Sequence, residues 1–424
     1  MPAAAGIHPT IAYMQTRPHY GNFALASLLA ALAMLGPFSI DTYLPAFPAI
    51  QSSLQASSIE VQQTLTAYLL SFSVMALWHG ALSDAFGRRN VVLVSLVIFA
   101  VASFGCASAH SVHYLWGFRI LQGVSAGAGM VIGRAIIRDL YAGAPAERLL
   151  SMVTMIFSIA PAIAPIIGGW IVSFSNWRSI FLLLFVYTLL LLWACYKYLP
   201  ESLPPEKRQP FSAEFLWLNY KGVFKSPLFY LKAGTVACNF AGLFLYVSAA
   251  PAFITQHLKL GADQFGWQFV PSVAGIFLGA LAANRLAGKV SAALQLAVGF
   301  AFLVGAAICN VVFHAIWPPM LPWSVLPLFF YSFGMSLVAP PVTIRVLDLF
   351  PHIRGIVASC QSSMLTLLGA VVAGLVAPAL DHSAFLLACG QLLFALLGMS
   401  LWYAGREYRR KELAQAQVVA EMPR

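Results

Sequence analysis

Charge is what this sequence has least of. Only 9% of its 424 residues are Asp, Glu, Lys or Arg, where soluble domains carry roughly 25%. That excludes a soluble globular chain, and a hydrophobic content of 60% places the protein in a membrane. Cysteine is sparse too. The six present (Cys106, Cys195, Cys238, Cys309, Cys360 and Cys389) lie in apolar stretches, and none forms a C-x-x-C pair. They read as small buried hydrophobes, with no disulfide framework and no metal site. Residues 1–21 lack the charged start, apolar centre and cleavage site of a signal peptide, so the first helix is expected to be kept. There is no Walker-type P-loop, no H-E-x-x-H and no span with paired carboxylates. ATP-driven transport and metalloprotease chemistry are not expected, and no enzyme activity or cofactor is assigned.

What is present is apolar sequence in long runs. A spanning helix needs about 20 apolar residues. Twelve runs qualify: 22–44, 60–80, 90–109, 112–136, 148–173, 178–199, 231–255, 265–286, 291–315, 322–346, 355–379 and 383–405. The expected fold is an all-α membrane protein, with twelve transmembrane helices in two six-helix halves, 22–199 and 231–405. A polar, Pro-rich linker at 200–230 joins them, and its portion 211–225 is expected to lie on the membrane surface as an amphipathic helix. The net charge of +10 could point to nucleic acid, but its distribution does not. Of the 24 Lys and Arg residues all but three fall at one end of the alternating spans; Arg178 and Lys259 lie at the other end and Arg119 inside a span. The positive-inside rule makes the basic end cytoplasmic, with both termini there. Segment 1–21 is then cytoplasmic, and 406–424 is expected as a basic, disordered cytoplasmic tail.

The other acids fall in loops or near helix ends; Asp41 is the one carboxylate placed within a span. A charge there costs roughly 2.5–3.5 kcal/mol on insertion scales, which makes it a functional candidate. It lies in the outer part of the first helix, where a water-reachable carboxylate can exchange protons with the outside. Pro45 and Pro48 are expected to stop that helix, leaving 49–59 as an outer loop. His79, near the inner end of the second span, is expected at the interface. Arg119 lies about 10 Å deep at 1.5 Å per residue, a depth similar to that of Asp41. It needs a partner, a water cavity or an anionic ligand, and Gln122 lies one turn further on. Tyr43 and Gln122 are candidate substrate contacts in the first half. In the second half Asn239, Phe240, Phe244, Tyr246, Tyr331, Gln361 and Met364 are candidates to line a cavity of aromatic and soft side chains, suited to amphipathic molecules of varied shape.

Between the second and third runs stands Gly80-Ala-Leu-Ser-Asp84-Ala-Phe-Gly87-Arg88-Arg89. Gly80 permits close backbone approach and Gly87 a positive φ. Asp139, beside Arg138 at the inner end of the fourth run, is placed to pair with Arg88 or Arg89 and hold an inner gate. In the fifth run Pro161, Pro165, Gly168 and Gly169 predict a bent helix that packs tightly.

The pattern G-x-L-S-D-x-x-G-R-R resembles the signature loop of the major facilitator superfamily. Arg119-x-x-Gln122-Gly123 resembles a second motif of that family, linked there to proton transfer and substrate release. The Pro165–Gly169 stretch resembles its antiporter motif G-P-x-x-G-G, with Ala164 in place of the first glycine, and the loop at 284–289 is a degraded copy of the signature. Asp41-Thr-Tyr-Leu-Pro45, Arg138-Asp139-Leu-Tyr141, Pro205-Glu-Lys-Arg-Gln-Pro210-Phe and Phe350-Pro-His-Ile-Arg-Gly355 look like the bicyclomycin-resistance (Bcr/CflA) branch of the twelve-helix drug–proton antiporters. The resemblance implies a monomeric bacterial inner-membrane exporter that uses protons to expel small-molecule drugs such as bicyclomycin or phenicols. Asp41 and Arg119 would then couple protons to transport. A carrier for a natural metabolite such as an amino acid or sugar is the alternative, and a membrane-embedded enzyme or lipid-handling protein is a more distant one.

Overall fold

A computed structural model describes residues 22–141, 143–208, 211–286 and 289–421. Segment 1–21, Pro210, Gly288 and the last three residues of the tail lie outside the described residues. Twelve helices are long and apolar enough to cross a membrane: α1 (Phe23–Leu54), α2 (Ser58–Phe86), α3 (Arg88–Ala107), α4 (Val112–Leu140), α5 (Arg148–Phe174), α6 (Arg178–Tyr198), α7 (Pro227–Ser248), α8 (Ala262–Leu286), α9 (Ala292–Ile316), α10 (Leu326–Leu347), α11 (Pro351–Leu380) and α12 (Ala384–Arg410). No strand occurs among the described residues. In lipid each backbone donor and acceptor must be paired within the protein, which helices achieve internally. The outer faces carry bare apolar side chains such as Val94, Val101, Phe104, Leu190 and Leu375.

The two halves pack by one plan. In the first, α2 lies along α4 and α3 along α6; in the second, α8 lies along α10 and α9 along α12. The contacts between halves follow the same rule, since α2 meets α11 and α8 meets α5. Adding six to each label maps one set onto the other, the relation expected of parallel repeats about an axis along the membrane normal. Close approach depends on small residues. A Cβ on Gly123 of α4 would collide with the backbone carbonyl of Tyr68 in α2.

Four sequence expectations need correction. The first helical segment ends at Asp41, ahead of Pro45, but the prolines are not followed by an outer loop over 49–59. After Asp41 the chain makes a short 3-10 turn, Leu44–Ala46, and then a further helix, Phe47–Leu54. Both prolines sit at first-turn positions, where no N–H is required. Only 55–57 remain as a loop, and Ser57 caps α2 by accepting from the Glu60 N–H. His79 does not face out to an interface; its side chain is 1% exposed and packs beside Gly127 of α4. The tail after Gly405 is not disordered over its described part, because the last helix continues from Ala384 to Glu421. Its Glu, Arg, Lys, Leu, Ala and Gln residues are strong helix formers. Finally, α5 is broken as well as bent: Ala144–Phe157 and Ala160–Phe174 are separate helical segments, with Pro161 in the first turn of the second.

The linker contributes an α-helix, Ala213–Phe224. It is tied to the first half by the Tyr220 hydroxyl, which donates to the Leu77 carbonyl of α2. Its Leu216, Tyr220 and Val223 share a buried cluster with Phe229, Phe300 and Val357 of the second half. Burial pushes the Tyr220 phenol up to about 12, so it donates as a neutral hydroxyl throughout the physiological range.

Candidate functional site

The first half buries a polar centre built around Arg119, which has no exposed surface. Its position follows from the irregular end of α1. Pro45 has no N–H to offer the Asp41 carbonyl, and the Tyr43 N–H bonds back to Ile40 rather than to Ser39. The Ser39 carbonyl is thereby left without its helical donor, and Arg119 Nη1 supplies one at 3.2 Å. The same nitrogen donates to Gln122 Oε1 at 2.8 Å, and Gln122 Nε2 donates to Ser103 Oγ of α3 at 2.9 Å. The guanidinium is sandwiched between the rings of Tyr68 and Tyr43, 4.3 Å and 4.8 Å from their centroids. The Tyr43 hydroxyl lies 2.7 Å from that of Thr64.

This shell can offset the cost of burying the charge but leaves two of the guanidinium nitrogens without acceptors. Two ring faces contribute about 2 kcal/mol each when desolvated, and a hydrogen bond to a charged group about 1.5–3 kcal/mol. The effective penalty for burying an ion is several kcal/mol. Arg119 Nε and Nη2 are buried with no hydrogen-bond partner, and no carboxylate lies in ion-pair range among the described residues. Asp41, the last residue of the first segment of α1, is 6% exposed. Its carboxylate is likewise without a hydrogen bond or ion pair among the described residues. Tyr68 lies within electrostatic reach of both. The structure therefore brings Asp41, Tyr43, Arg119 and Gln122 into one region but leaves the two charges unpaired.

A second cluster occupies the end of the bundle that carries the termini. Gly87 alone joins α2 to α3, at φ +94°, a backbone conformation that glycine adopts at least cost. Arg88 pairs with Asp84 one turn back. It also donates to Asp139 Oδ2 at 3.1 Å and to Ser83 Oγ at 2.6 Å. Of the two expected partners for Asp139 the structure uses Arg88, while Arg89 donates to the Tyr196 carbonyl. Glu201, which sequence reasoning passed over, accepts the N–H groups of Arg88 and Arg89 at 2.9 and 3.3 Å. A carboxylate at the start of α3 meets both free donors and the positive end of the helix dipole. Gly80 and Arg138 line the cavity at this end.

The candidates of the second half do not form one surface. Phe240 and Phe244 stack at 5.5 Å. The Tyr331 hydroxyl donates to the Asn239 carbonyl at 3.0 Å, and Asn310 Nδ2 donates to the Tyr246 hydroxyl and to Gln391 Oε1, each at 2.8 Å. These bonds tie α7, α9, α10 and α12 together inside the half. Gln361 Nε2 donates to Thr343 at 3.1 Å, and Met364 packs near Gly234. Asn310 and Gln391 went unremarked in the sequence, because single amides inside apolar runs carry no motif.

The halves meet at the end away from the termini. Gln62 Nε2 donates to the Ser248 carbonyl at 3.2 Å, and Gln63 Nε2 to the Gly374 carbonyl at 3.0 Å. Gly168 lies against the backbone of Thr42 within the first half, and Gly169 against the backbone of Ala262 in the second, with Pro165 buried beside them. At the terminal end the halves stand apart around a cavity of about 510 Å³, bounded by α2, α4, α11 and the linker helix. One face is closed and the other open.

Comparison with known proteins agrees with this architecture. A human organic anion transporter, MFSD10 (TETRAN), superposes with a TM-score of 0.69 at 19% identity, covering 91% of this chain and 100% of that one. An uncharacterized MFS-type transporter of Bacillus subtilis, YdgK, is 33% identical over 84% of this chain and 89% of its own length. A bicyclomycin resistance protein homolog of Haemophilus influenzae is 28% identical over the same shares of the two chains. The family profile described as Major Facilitator Superfamily matches residues 29–374. With twelve spans in two repeated halves, this multi-pass inner-membrane protein belongs to the Major Facilitator Superfamily.

Proposed function

We propose that this chain is a proton-coupled exporter of amphipathic drugs, of the kind represented by bicyclomycin and phenicols, working by alternating access. The observation that carries the reading is that Asp41 and Arg119 are both buried in the first half with no ion-pair partner among the described residues. A carboxylate that shares a region with a cation but is not bonded to it can change charge without breaking an ion pair. With Asp41 charged, the region is close to neutral; with a proton on Asp41, the Arg119 charge stands alone. That difference gives the two faces of the cycle different stabilities, as coupling requires. The resistance named for the Haemophilus influenzae relative supports the drug class. The uneven spread of Lys and Arg supports cytoplasmic termini, so the open cavity faces the cytoplasm. Each chain carries both halves and acts as a monomer.

The test is made in everted vesicles energised by respiration. Phenicols, fluoroquinolones and cationic dyes are added singly while lumenal pH is recorded. Release of lumenal protons on drug addition is the expected result. Asp41→Asn should insert normally and abolish proton-driven export. Export against a gradient by Asp41→Asn would refute the carboxylate's role, and silence across the whole panel would refute drug export.

A further inference from the structure

The cavity at the terminal end is unevenly charged. Asp84, Arg88, Arg134, Arg138 and Arg354 all line it. Most of these charges are already matched. Arg88 is held by Asp84 and Asp139, and Arg354 pairs with Asp348 at 2.7 Å. Arg134 and Arg138 are not: neither has a hydrogen-bond or ion-pair partner among the described residues. They stand one turn apart on α4 and repel each other, as like charges at this spacing do. The positive-inside bias explains cations at this end. It does not explain why two of them project, uncompensated, into a space between the halves.

The rest of the wall mixes apolar side chains, Leu77, Leu216, Tyr220 and Ile356 among them, with Ser212, His352, Ser359 and Ser362. Low-dielectric walls focus the field of charges set among them. A guanidinium presents a planar fork that matches a carboxylate or sulfonate. A ligand that relieves this arrangement has an apolar body and one acidic group. We propose that Arg134 and Arg138 receive the acidic group of an amphipathic anion at the mouth of the cavity, so that the substrates include acidic amphiphiles as well as neutral ones. This rests on the export reading and extends it to a substrate class. An anionic phospholipid headgroup offers the same chemistry, and the test separates the two sources.

The probe is dansylglycine, with its neutral amide as the matched control. Uptake is measured in everted vesicles, and again in proteoliposomes of phosphatidylcholine with or without phosphatidylglycerol, under an imposed pH gradient. The acid should show a KM about tenfold below that of the amide, the value of one charge-assisted hydrogen bond, and this preference should shrink as salt is raised. Arg134→Gln should bring the ratio of the two KM values to within about twofold of one, and Arg134→Lys should restore part of it. Equal KM values for acid and amide in the unaltered protein, with phenicol export intact, would overturn the anion site and leave the export reading standing. A preference that appears only with phosphatidylglycerol would assign the pair to lipid and overturn the substrate reading. Failure of the acid, the amide and phenicols alike would overturn both readings.

Discussion

Gly169 is the position at which the closed face can be pried open by one methyl group. It lies on α5 against the backbone of Ala262, so a Cβ there has no flexible side chain to displace. Overpacking of this kind costs typically about 1–3 kcal/mol. Gly169→Ala also gains about 1 kcal/mol of helix propensity, but that gain is present whichever face is open and drops out of the balance between them. The collision exists only when the halves touch. The closed-face state should therefore lose about 1–3 kcal/mol relative to its alternative, a shift of about 5- to 150-fold in the equilibrium. The readout is the distance between spin labels at Ser175 and Gln256, on exposed positions of the two halves at that face. The background should lack the half-buried and exposed cysteines Cys238, Cys309 and Cys389. Gly169→Ala should populate a longer distance. Gly305→Ala, where a Cβ meets nothing within 4 Å, should not. An unchanged distance distribution in Gly169→Ala would refute the argument that this contact closes the face.

Other outcomes follow from single contacts. Glu201→Gln keeps an acceptor near the Arg88 and Arg89 N–H groups but removes the charge, so thermal unfolding in detergent should report a loss of about 0.5–1 kcal/mol that shrinks with added salt. Glu201→Ala should lose more; no loss in Glu201→Gln would mean that the charge is idle. Asp381, in the turn between α11 and α12, has its carboxyl raised above 3.8 by burial, with His382 and His257 opposing. A raised carboxyl binds its proton more tightly in the folded state, so its contribution is present at low pH and lost as pH rises through the folded value. Asp381→Asn should flatten that segment of a plot of unfolding temperature against pH above 3.8; an unaltered slope would place its origin elsewhere.

The spans were readable because the bilayer dictates their length, and Arg119 stood out because the other basic residues lie in loops or within two residues of the end of an apolar run. Gly87 could be picked out for the same kind of reason: a single residue must turn the chain between α2 and α3. The partners of these residues were not readable. Glu201 is 113 residues from Arg88, in a stretch whose composition marks only a linker. The Ser39 carbonyl becomes an acceptor for Arg119 only because the helix tightens at Tyr43, and a backbone oxygen has no signature in sequence. Helix after Pro45 was missed because proline was taken as a terminator when its position made it an initiator. The depths of Asp41 and Arg119 were readable, but their failure to bond could appear only in three dimensions.

The two glutamines at the closed face have a consequence of their own. Gln62 and Gln63 are neighbours on α2, yet they reach different helices of the opposite half, α7 and α11. Each bond runs from a neutral amide to a backbone carbonyl, and such bonds are worth about 1 kcal/mol net because water offers nearly the same. When the halves part, water can take the place of each lost partner at little cost. The latch is thus strong enough to align the two halves and weak enough to release. A latch of buried ion pairs would strand charges on opening, and one of interlocked aromatic rings would expose them to water. Amides at this position suit a carrier that must undo the same seam on every cycle.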